Sequence, residues 1–592
     1  MQVVLTTLNA KYIHTSLALR YLAAYCRPVC PETIIREYNI NNGLLEILSD
    51  IYRMRPNVLG LACYIWNIEM TLILAGLVKK VLPDVIIILG GPEVSYDSAE
   101  IMQHHGCVDY IIQGEGEMTL AALLEVFVKR NFSALCNIPG LVFRLDGQIK
   151  VNEGPQVVHE LDTLPFPYND ADMENLNDKI IYYESSRGCP FSCQYCLSSV
   201  TKGVRFYSLP RVYHDLAFFI DHKVKQVKFV DRTFNGRKDH YFPLLKFLAK
   251  QQCETNFHFE IAVDLLDDEV LLFLRDVTPG RFQFEIGIQS TFQPALTEIC
   301  RHNNWGKIVD NVKQLQQSGN IHLHLDLIAG LPHESYWQFG QSFNDVYSLQ
   351  PQMLQLGFLK LLKGSGIRKD AIKHGYVFMD NAPYEVLANK YLSYDDVRKL
   401  KIIEELFNQL YNSGRFQYTL KFFIELCRGN AFAFYHKLAS YWEERGLHII
   451  AHSIKSLYRY LLDYCQIYHK GQLELCRELM KFDALLSEKG TIHPEFLGWN
   501  DNQWNEEKAQ FWRSEATVRK YLPEYVFTTW RDVKKNFQLE VFNIDVAAFF
   551  MRGEFVKENL PVLFTYRQNE VRYHIIAEDD FWRTGGGDKN AL

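Results

Sequence analysis

The sequence of 592 residues lacks several features that would assign it to common protein classes. No apolar run approaches the ~18 residues that a membrane-spanning helix needs. There is no long basic run and the net charge is −7, so nucleic acid is not an expected partner. The first six residues have the pattern of a β-strand rather than of a signal peptide. The length predicts about three or four domains.

Cysteine is not scarce, but it does not form the framework of a small secreted protein. The chain has 13 cysteines, an odd number, spread over a long sequence. Disulfide-stapled secreted domains are short and carry cysteines at regular spacings. We therefore expect a protein of the reducing cytoplasm.

Three of these cysteines lie in one short loop, where Cys189, Cys193 and Cys196 have the spacing C-x3-C-x2-C. Three thiolates this close can hold one iron–sulfur cube, whereas a closed Fe–S site normally takes four protein ligands. One iron then has no protein ligand, and a reacting molecule can bind at such an open coordination position. A zinc knuckle is the alternative interpretation. A structural zinc ion needs a fourth ligand nearby, and the nearest histidine is His214.

The first 145 residues alternate short apolar runs with helical patterns, five times over. This alternation predicts a doubly wound parallel sheet, whose ligands bind beyond the carboxyl ends of the strands. Gly90 and Gly91 follow one such run, and the absence of side chains there would let a bulky ligand approach the backbone. A tight turn is the alternative reading. Ser95 is predicted to cap the next helix.

The rest of the chain predicts a linker, a barrel and a helical domain. Asp146-Gly147 predicts a hairpin turn, and two prolines near residue 166 predict an extended strap. Six strand candidates with helices between them then predict a partial (β/α)6 barrel, with function at the strand ends. Amphipathic helices follow, and strand-like runs return from about residue 525. The predicted domains are residues 1–145, a linker 146–178, a core 179–400 and a C-terminal cap domain 401–592.

The cysteine loop, with Tyr195 just before its last cysteine, resembles the radical S-adenosylmethionine (SAM) superfamily. The resemblance implies that the three cysteines ligate a [4Fe-4S] cluster and are catalytic, since the cluster cleaves S-adenosyl-L-methionine to a 5′-deoxyadenosyl radical. It also implies further cofactor contacts. Glu260 would accept hydrogen bonds from the two hydroxyl groups of the SAM ribose. Arg301, on the helix after the fourth barrel strand, would bind the SAM carboxylate through a two-pronged contact. Gln289, Ser290 and Tyr195 would line the site.

The segments Gly-Gly-Pro-Glu-Val-Ser and Gly-Glu-Gly-Glu resemble the cobalamin-binding domain that precedes many radical SAM cores. The resemblance implies that Gly90, Gly91 and Ser95 line the pocket for the cobalamin tail. The D-x-H-x-x-G signature, whose histidine coordinates cobalt, is absent. His14 is therefore interpreted as a surface or tail-contacting residue and no lower cobalt ligand is assigned. The C-terminal segment resembles an uncharacterised domain of some cobalamin-dependent radical SAM proteins and is expected to cap the barrel mouth.

These resemblances imply an enzyme that abstracts hydrogen from a small-molecule substrate and then transfers a methyl group from methylcobalamin to carbon. An electron donor such as flavodoxin or ferredoxin would serve it. One alternative is an anaerobic oxidative cyclase or ring-rearranging enzyme of the tetrapyrrole type, which uses cobalamin without methyl transfer. Another is a non-catalytic redox or cobalamin sensor. A methylthiotransferase is disfavoured, because the first domain has no second cysteine set in the needed pattern.

Overall fold

The structure is a computed structural model that describes residues 1–200, 203–487, 493–500, 502–526, 529–567 and 570–582. The chain divides into two compact units, Met1–Val397 and Arg398–Leu592. None of the described helices combines the length and the apolarity that crossing a bilayer requires.

The first sheet has seven strands in the order β2-β1-β3-β4-β5-β6-β7. Its strands are β1 (Val3–Asn9), β2 (Ile34–Asn39), β3 (Val58–Ala62), β4 (Ile86–Gly90), β5 (Tyr110–Ile112), β6 (Leu141–Leu145) and β7 (Gln148–Val151). The helices that accompany them are α1 (Leu17–Cys26), α2 (Leu44–Met54), α3 (Ile68–Val81), α4 (Ser98–His104) and α5 (Glu117–Lys129). Strands β1 to β5 run parallel, which confirms the predicted doubly wound sheet.

The hairpin β6–β7 extends this sheet, so its turn at Asp146-Gly147 and strand β7, which lie within the predicted linker, continue the first sheet. Strand β6 pairs antiparallel with β5, and β7 pairs antiparallel with β6. Leu141, Val142 and Phe143 are buried, so apolar burial holds β6 on the sheet edge. The chain then crosses to the second sheet through α6 (Asp170–Asn175).

The second sheet is the predicted partial barrel. Six parallel strands lie in the order β15-β14-β13-β12-β11-β8. The strands of this region are β8 (Ile181–Tyr183), β9 (Ser186–Gly188), β10 (Val204–Phe206), β11 (Gln226–Phe229), β12 (Asn256–Ile261), β13 (Phe282–Gln289), β14 (His322–Ala329), β15 (Met353–Phe358), β16 (Val377–Phe378) and β17 (Val386–Ala388). Its helices are α7 (Leu209–Asp221), α8 (Lys238–Ala249), α9 (Asp268–Arg275), α10 (Gln293–Glu298), α11 (Trp305–Ser318), α12 (Tyr336–Tyr347), α13 (Gly366–Lys369) and α14 (Ala371–His374).

The C-terminal unit is mostly helical, as predicted, with one antiparallel sheet of three strands. Its helices, starting with one that begins just before the unit boundary, are α15 (Tyr394–Leu410), α16 (Gln417–Leu426), α17 (Ala431–Glu444), α18 (Ile454–Tyr468), α19 (Leu473–Ser487), α20 (Asn505–Arg513), α21 (Glu515–Tyr521), α22 (Trp530–Asn536), α23 (Val546–Arg552) and α24 (Glu578–Phe581). Its strands are β18 (Phe537–Phe542), β19 (Leu560–Arg567) and β20 (Glu570–Ile575). Asp483 of α19 is buried and accepts the backbone N–H groups of Tyr418 and Thr419 at the start of α16.

A buried ionic network, here called the Arg187 network, joins the two sheets. Arg187 in β9 is 13% exposed and contacts Glu184 at 2.8 Å and Glu117 at 2.7 Å. Glu115 lies 3.4 Å from the same guanidinium and also pairs with Arg205 of β10. Glu115 and Glu117 lie at the turn where α5 begins, in the first sheet's domain. The two sheets are thus held together next to the cysteine loop.

Replacing Arg187 by Gln should destabilise the Met1–Val397 unit by about 3–5 kcal/mol, because breaking a buried ion pair leaves uncompensated charge. Urea unfolding of the full chain under anaerobic conditions measures the effect. The matched control is Arg36→Gln, since Arg36 is 52% exposed and pairs with Asp50 on the surface. An exposed pair contributes about 0–1 kcal/mol to the unfolding free energy. Equal losses in the two variants would contradict the larger contribution expected from the Arg187 network.

Candidate cluster and cofactor site

The cysteine loop begins directly after β9, on the carboxyl side of the first barrel strand. Gly188 has φ +106°, and a Cβ there would lie 2.2 Å from the carbonyl oxygen of Gly203, so only glycine lets β9 and β10 close the base of the loop. Within the loop, the backbone of Gln194 donates to Ile299 and accepts from Ile367, both at 2.9 Å. The loop is therefore anchored to the end of α10 and to α13.

The arrangement of the thiols fits a cluster better than a single metal ion. Cys193 is buried, whereas Cys189 and Cys196 are half-buried. Among the described residues, the groups whose potential ligand atoms converge within 4.8 Å contain no cysteine. One zinc ion with bonds of about 2.3 Å would hold thiolates about 3.8 Å apart. Three separated thiols on one short loop suit the corners of an iron–sulfur cube.

Arg301 contacts this loop directly. Its guanidinium lies 3.7 Å from Cys193 Sγ and 3.3 Å from Tyr195 Oη, and it donates to the carbonyl oxygen of Gly287. Burial raises the pKa of the Cys193 thiol, and the Arg301 charge opposes that rise. The sequence placed Arg301 on a helix, which is wrong: it lies after α10 ends at Glu298 and before α11 begins. The irregular segment brings its charge to the cluster loop.

Glu260 lies on β12, in the interior of the barrel. Burial, with a contribution from the neighbouring Glu285, raises its pKa to about 7. Arg232, after β11, acts against that rise. A carboxyl group in this position can accept hydrogen bonds from a pair of hydroxyl groups, so the ribose assignment stays a chemically sound prediction.

Gln289 and Ser290 end strand β13, but their surroundings differ. Gln289 has φ +69° and its buried Oε1 has no hydrogen-bond partner, so it could take a ligand donor. Ser290 is fully buried, and its hydroxyl donates to Glu334 at 2.6 Å. Its contact with a cofactor stays a prediction, because that hydroxyl already has an internal partner.

A cavity of 590 Å³ lies between the carboxyl ends of the two sheets. The first sheet supplies one wall through the ends of β1, β3 and β4, with Gly90 and Gly91 among the lining residues. The barrel supplies the other wall through Tyr182, Glu184 and Arg232, along with Arg187. A ligand of the first domain would therefore face the region where the barrel carries its cysteine loop.

Gly91 is the conformationally demanding member of the glycine pair. It has φ +108°, and a Cβ would lie 2.6 Å from the carbonyl oxygen of Cys63, whereas a Cβ on Gly90 meets nothing nearer than 3.9 Å. Ser95 does not cap α4, contrary to the prediction, because that helix begins at Ser98 after Asp97. Its hydroxyl instead donates to the carbonyl of Gly91 at 2.8 Å and accepts from Gly114, which fixes both cavity-lining turns.

His14 also lines the cavity, and its partner comes from the barrel. Its Nδ1 lies 2.6 Å from the hydroxyl of Tyr182, and burial lowers the pKa of the imidazole. The backbone around it pairs with the start of the barrel, since Ile180 donates to Ile13. His14 thus holds the first domain's loop against strand β8.

The sequence reasoning missed the residues that connect the two domains. The Gly-Glu-Gly-Glu segment is predicted to follow a strand and to belong to a cobalamin-binding domain, but its pairing with Arg187 is not predicted, and Tyr182 is not singled out. A charge immediately before the cysteine loop was the available signal. Its partners lie 70 and 72 residues away, and a single sequence does not reveal such pairs.

Comparison with known families places three domains in the chain. Residues 3–124 match the B12 binding domain, residues 183–346 match the radical SAM superfamily, and residues 372–564 match a protein family of unknown function, DUF4080. These matches confirm the resemblances stated from the sequence.

Individual relatives are distant. An uncharacterized methyltransferase of Pyrococcus horikoshii is 24% identical over 65% of this chain and 83% of its own length. The cobalamin-dependent radical SAM methyltransferase TokK of Streptomyces tokunonensis is 27% identical over 49% of this chain. The chain spans only 44% of TokK. An anaerobic magnesium-protoporphyrin IX monomethyl ester cyclase of Rubrivivax gelatinosus is 23% identical over 56% of this chain and 62% of its own length.

A solved structure shares the fold. The cobalamin-dependent S-adenosylmethionine radical enzyme OxsB, with aqua-cobalamin and S-adenosylmethionine bound, has a TM-score of 0.58 at 14% identity. The likeness covers 88% of this chain and 84% of that one.

Replacing Gly91 by Ala should weaken the first domain, because the left-handed backbone and the contact with Cys63 both oppose a side chain. We expect a loss of about 2–3 kcal/mol in unfolding free energy and at least tenfold weaker binding of cobalamin. Gly90→Ala is the matched control and should change stability by less than about 1 kcal/mol. Urea unfolding and equilibrium binding of hydroxocobalamin measure both quantities, and identical behaviour of the two variants would contradict the assignment.

The raised pKa of Glu260 predicts a pH-dependent stability. Because its folded pKa of about 7 lies above the ordinary value of 4.5, the folded state binds the proton more tightly. Stability is therefore lost as pH rises from about 4.5 through 7, by about 3 kcal/mol at most. In Glu260→Gln this contribution should be absent, so stability should fall less steeply between pH 5 and pH 8 than in wild type in unfolding experiments without SAM, while Glu184 keeps its own contribution. Glu125→Gln, at an exposed carboxylate, should keep the wild-type slope; a wild-type slope in Glu260→Gln would refute the prediction.

Proposed function

We propose that this chain, which combines a B12 binding domain, a radical SAM domain and a DUF4080 domain, is a cobalamin-dependent radical SAM methyltransferase. Its acceptor is a carbon atom of a small-molecule substrate. The observation that carries the proposal is the cavity between the two sheets. Its walls come from the glycine turn of the first domain and from barrel residues beside the cysteine loop.

The residues present fit the three groups that this function needs. Cys189, Cys193 and Cys196 supply three thiolates for a [4Fe-4S] cluster. Arg301 supplies a buried guanidinium next to Cys193 for the SAM carboxylate. Gly90 and Gly91 offer bare backbone to cobalamin. When bound, the cluster and SAM supply a carbon-centred radical, and cobalamin supplies the methyl group.

The protein's own contribution is positioning and exclusion of water. The Arg187 network fixes the distance between the two sheets, and Arg301 orients the loop and its cofactor together. The short anchors at Gln194 keep the thiols in place. An electron donor such as flavodoxin or ferredoxin, and a reducing cytoplasm, complete the proposal.

The second candidate is an anaerobic cyclase without methyl transfer, which the cyclase relative favours. The two methyltransferase relatives support the first candidate. The fold itself serves both equally, since function is determined by the site and not by the fold. A sensor without catalysis is disfavoured, because its cysteine loop would not need an open iron.

The test uses anaerobically reconstituted full-length protein, a strong reductant and SAM carrying a deuterated methyl group. We expect 5′-deoxyadenosine from wild type, and transfer of the three deuterium atoms to one of a panel of small polar substrates. Replacing all three loop cysteines by Ala should abolish both, because no cluster forms.

Cys300→Ala is the matched control. Cys300 is exposed and its Sγ lies 3.7 Å from Gln194 Nε2 at the edge of the loop, yet it is not assigned as a ligand. It should retain SAM cleavage. Formation of 5′-deoxyadenosine with a modified but unlabelled product would favour the cyclase, and absence of SAM cleavage in wild type would refute the enzyme.

A further inference from the structure

The interior of the barrel is charged where barrel interiors are usually filled by branched apolar side chains. Along β13, every second residue is buried and apolar, and the residues between them are glycine or polar and only partly exposed. Because side chains alternate along a strand, the apolar set packs against the helices and the polar set faces the interior. The interior set on neighbouring strands includes Lys228, His258, Glu260, Glu285, His324 and Asp326.

Three of these residues converge. Glu285 pairs with His324 across β13 and β14, and Asp326 follows two residues later on the same face. One potential ligand atom from each of the three lies within 4.8 Å of the other two. His324 is only 7% exposed, and its Nε2 lies 3.1 Å from Asp326 Oδ1. This contact is an ion pair without hydrogen-bond alignment, and neither atom has a hydrogen-bond partner among the described residues. Buried polar atoms without partners are rare and indicate an absent ligand.

The separation of these atoms distinguishes a metal ion from an ammonium group. Two ligands 3.1 Å apart would subtend about 95° at a metal ion with bonds of about 2.1 Å, which is normal coordination geometry. The same atoms would subtend only about 64° at an ammonium nitrogen with hydrogen bonds of about 2.9 Å, far below its tetrahedral angle. The geometry therefore favours a metal.

The outer oxygen of Glu285 is already supported. Lys228 Nζ lies 2.9 Å from Glu285 Oε2, and His258 Nε2 lies 3.0 Å from the same atom. Metal-binding carboxylates are commonly held by a neighbouring donor, as Lys228 Nζ holds Glu285 here.

We propose that Glu285, His324 and Asp326 bind one divalent transition-metal ion inside the barrel, separate from the cysteine cluster. Two carboxylates balance its charge, and one imidazole with two oxygens suits Zn²⁺, Fe²⁺ or Mn²⁺. Three protein ligands leave a coordination position open. Resting on the proposed function, that position would take an oxygen atom of the substrate and hold it within the barrel.

A second group in the same unit provides a control. Glu298, His333 and His374 also bring ligand atoms together within 4.8 Å. There the two imidazole Nε2 atoms are hydrogen-bonded to the Glu298 oxygens, at 3.3 and 3.2 Å, and Lys373 pairs with the same carboxylate. Those contacts satisfy the group internally, so nothing in it requires an ion.

The experiment uses full-length protein whose cluster has been reconstituted anaerobically. It is equilibrated with Zn²⁺ against a chromophoric chelator, and bound zinc per chain is measured by mass spectrometry. We expect about one zinc per chain in wild type. Asp326→Asn and His324→Gln should each weaken binding by about 10–100-fold or more. His322→Gln, at an exposed histidine on the same strand, and Glu298→Gln should leave it unchanged.

Cluster iron per chain reports whether each variant has folded. Zinc-edge X-ray absorption of the wild type needs no variant and should show one imidazole nitrogen with oxygen ligands and no sulfur. Absence of bound zinc in wild type, sulfur ligation, or loss of zinc only in Glu298→Gln would overturn the proposal. Because the measurement uses neither SAM nor cobalamin, a negative result leaves the proposed function intact, and failure of SAM cleavage leaves the metal site intact.

Discussion

The Arg187 guanidinium is the interaction on which the arrangement of the candidate site depends. A buried cation needs paired carboxylates, and here they come from both domains, with Glu117 on one side and Glu184 on the other. Burial raises the pKa of Glu184 to about 7 in spite of Arg187. An unpaired member of this network would leave a buried charge that destabilises the fold. The network therefore constrains how the two sheets face each other.

The fixed arrangement of the two sheets has a chemical consequence. Radical chemistry requires the reacting atoms to be held close and shielded from water. The carboxyl ends of both sheets open onto one cavity, and its barrel wall includes Arg187, two residues before the first cysteine of the loop. The loop itself is fixed at Gln194 and contacted by Arg301. Positioning thus comes from the Arg187 network together with the backbone anchors of the loop.

Periodicity and motif spacing predicted the two sheets and the cysteine loop, because both depend on residues near each other in sequence. The same reasoning failed at positions whose local structure depends on contacts with residues distant in the sequence. Ser95 was taken for a helix cap, but its hydroxyl bonds to Gly91. Arg301 was placed on a helix, but it lies in an irregular segment that reaches Cys193. The partners of Arg187 and His14 lie far away along the chain, and a single sequence carries no signal for them.

The polar side chains inside the barrel restrict the chemical character of the substrate more than the residues lining the cavity do. Burying charged and imidazole side chains is costly without a partner, so a purely hydrocarbon substrate would leave Asp326 and His324 unsatisfied. A ligand or ion with matching charge would satisfy them. The interior is thus suited to a ligand that offers polar atoms to these side chains. The alternation of side chains along β12 to β14 separates the two tasks, because the inward-facing positions carry the polar groups and the opposite face packs the apolar core.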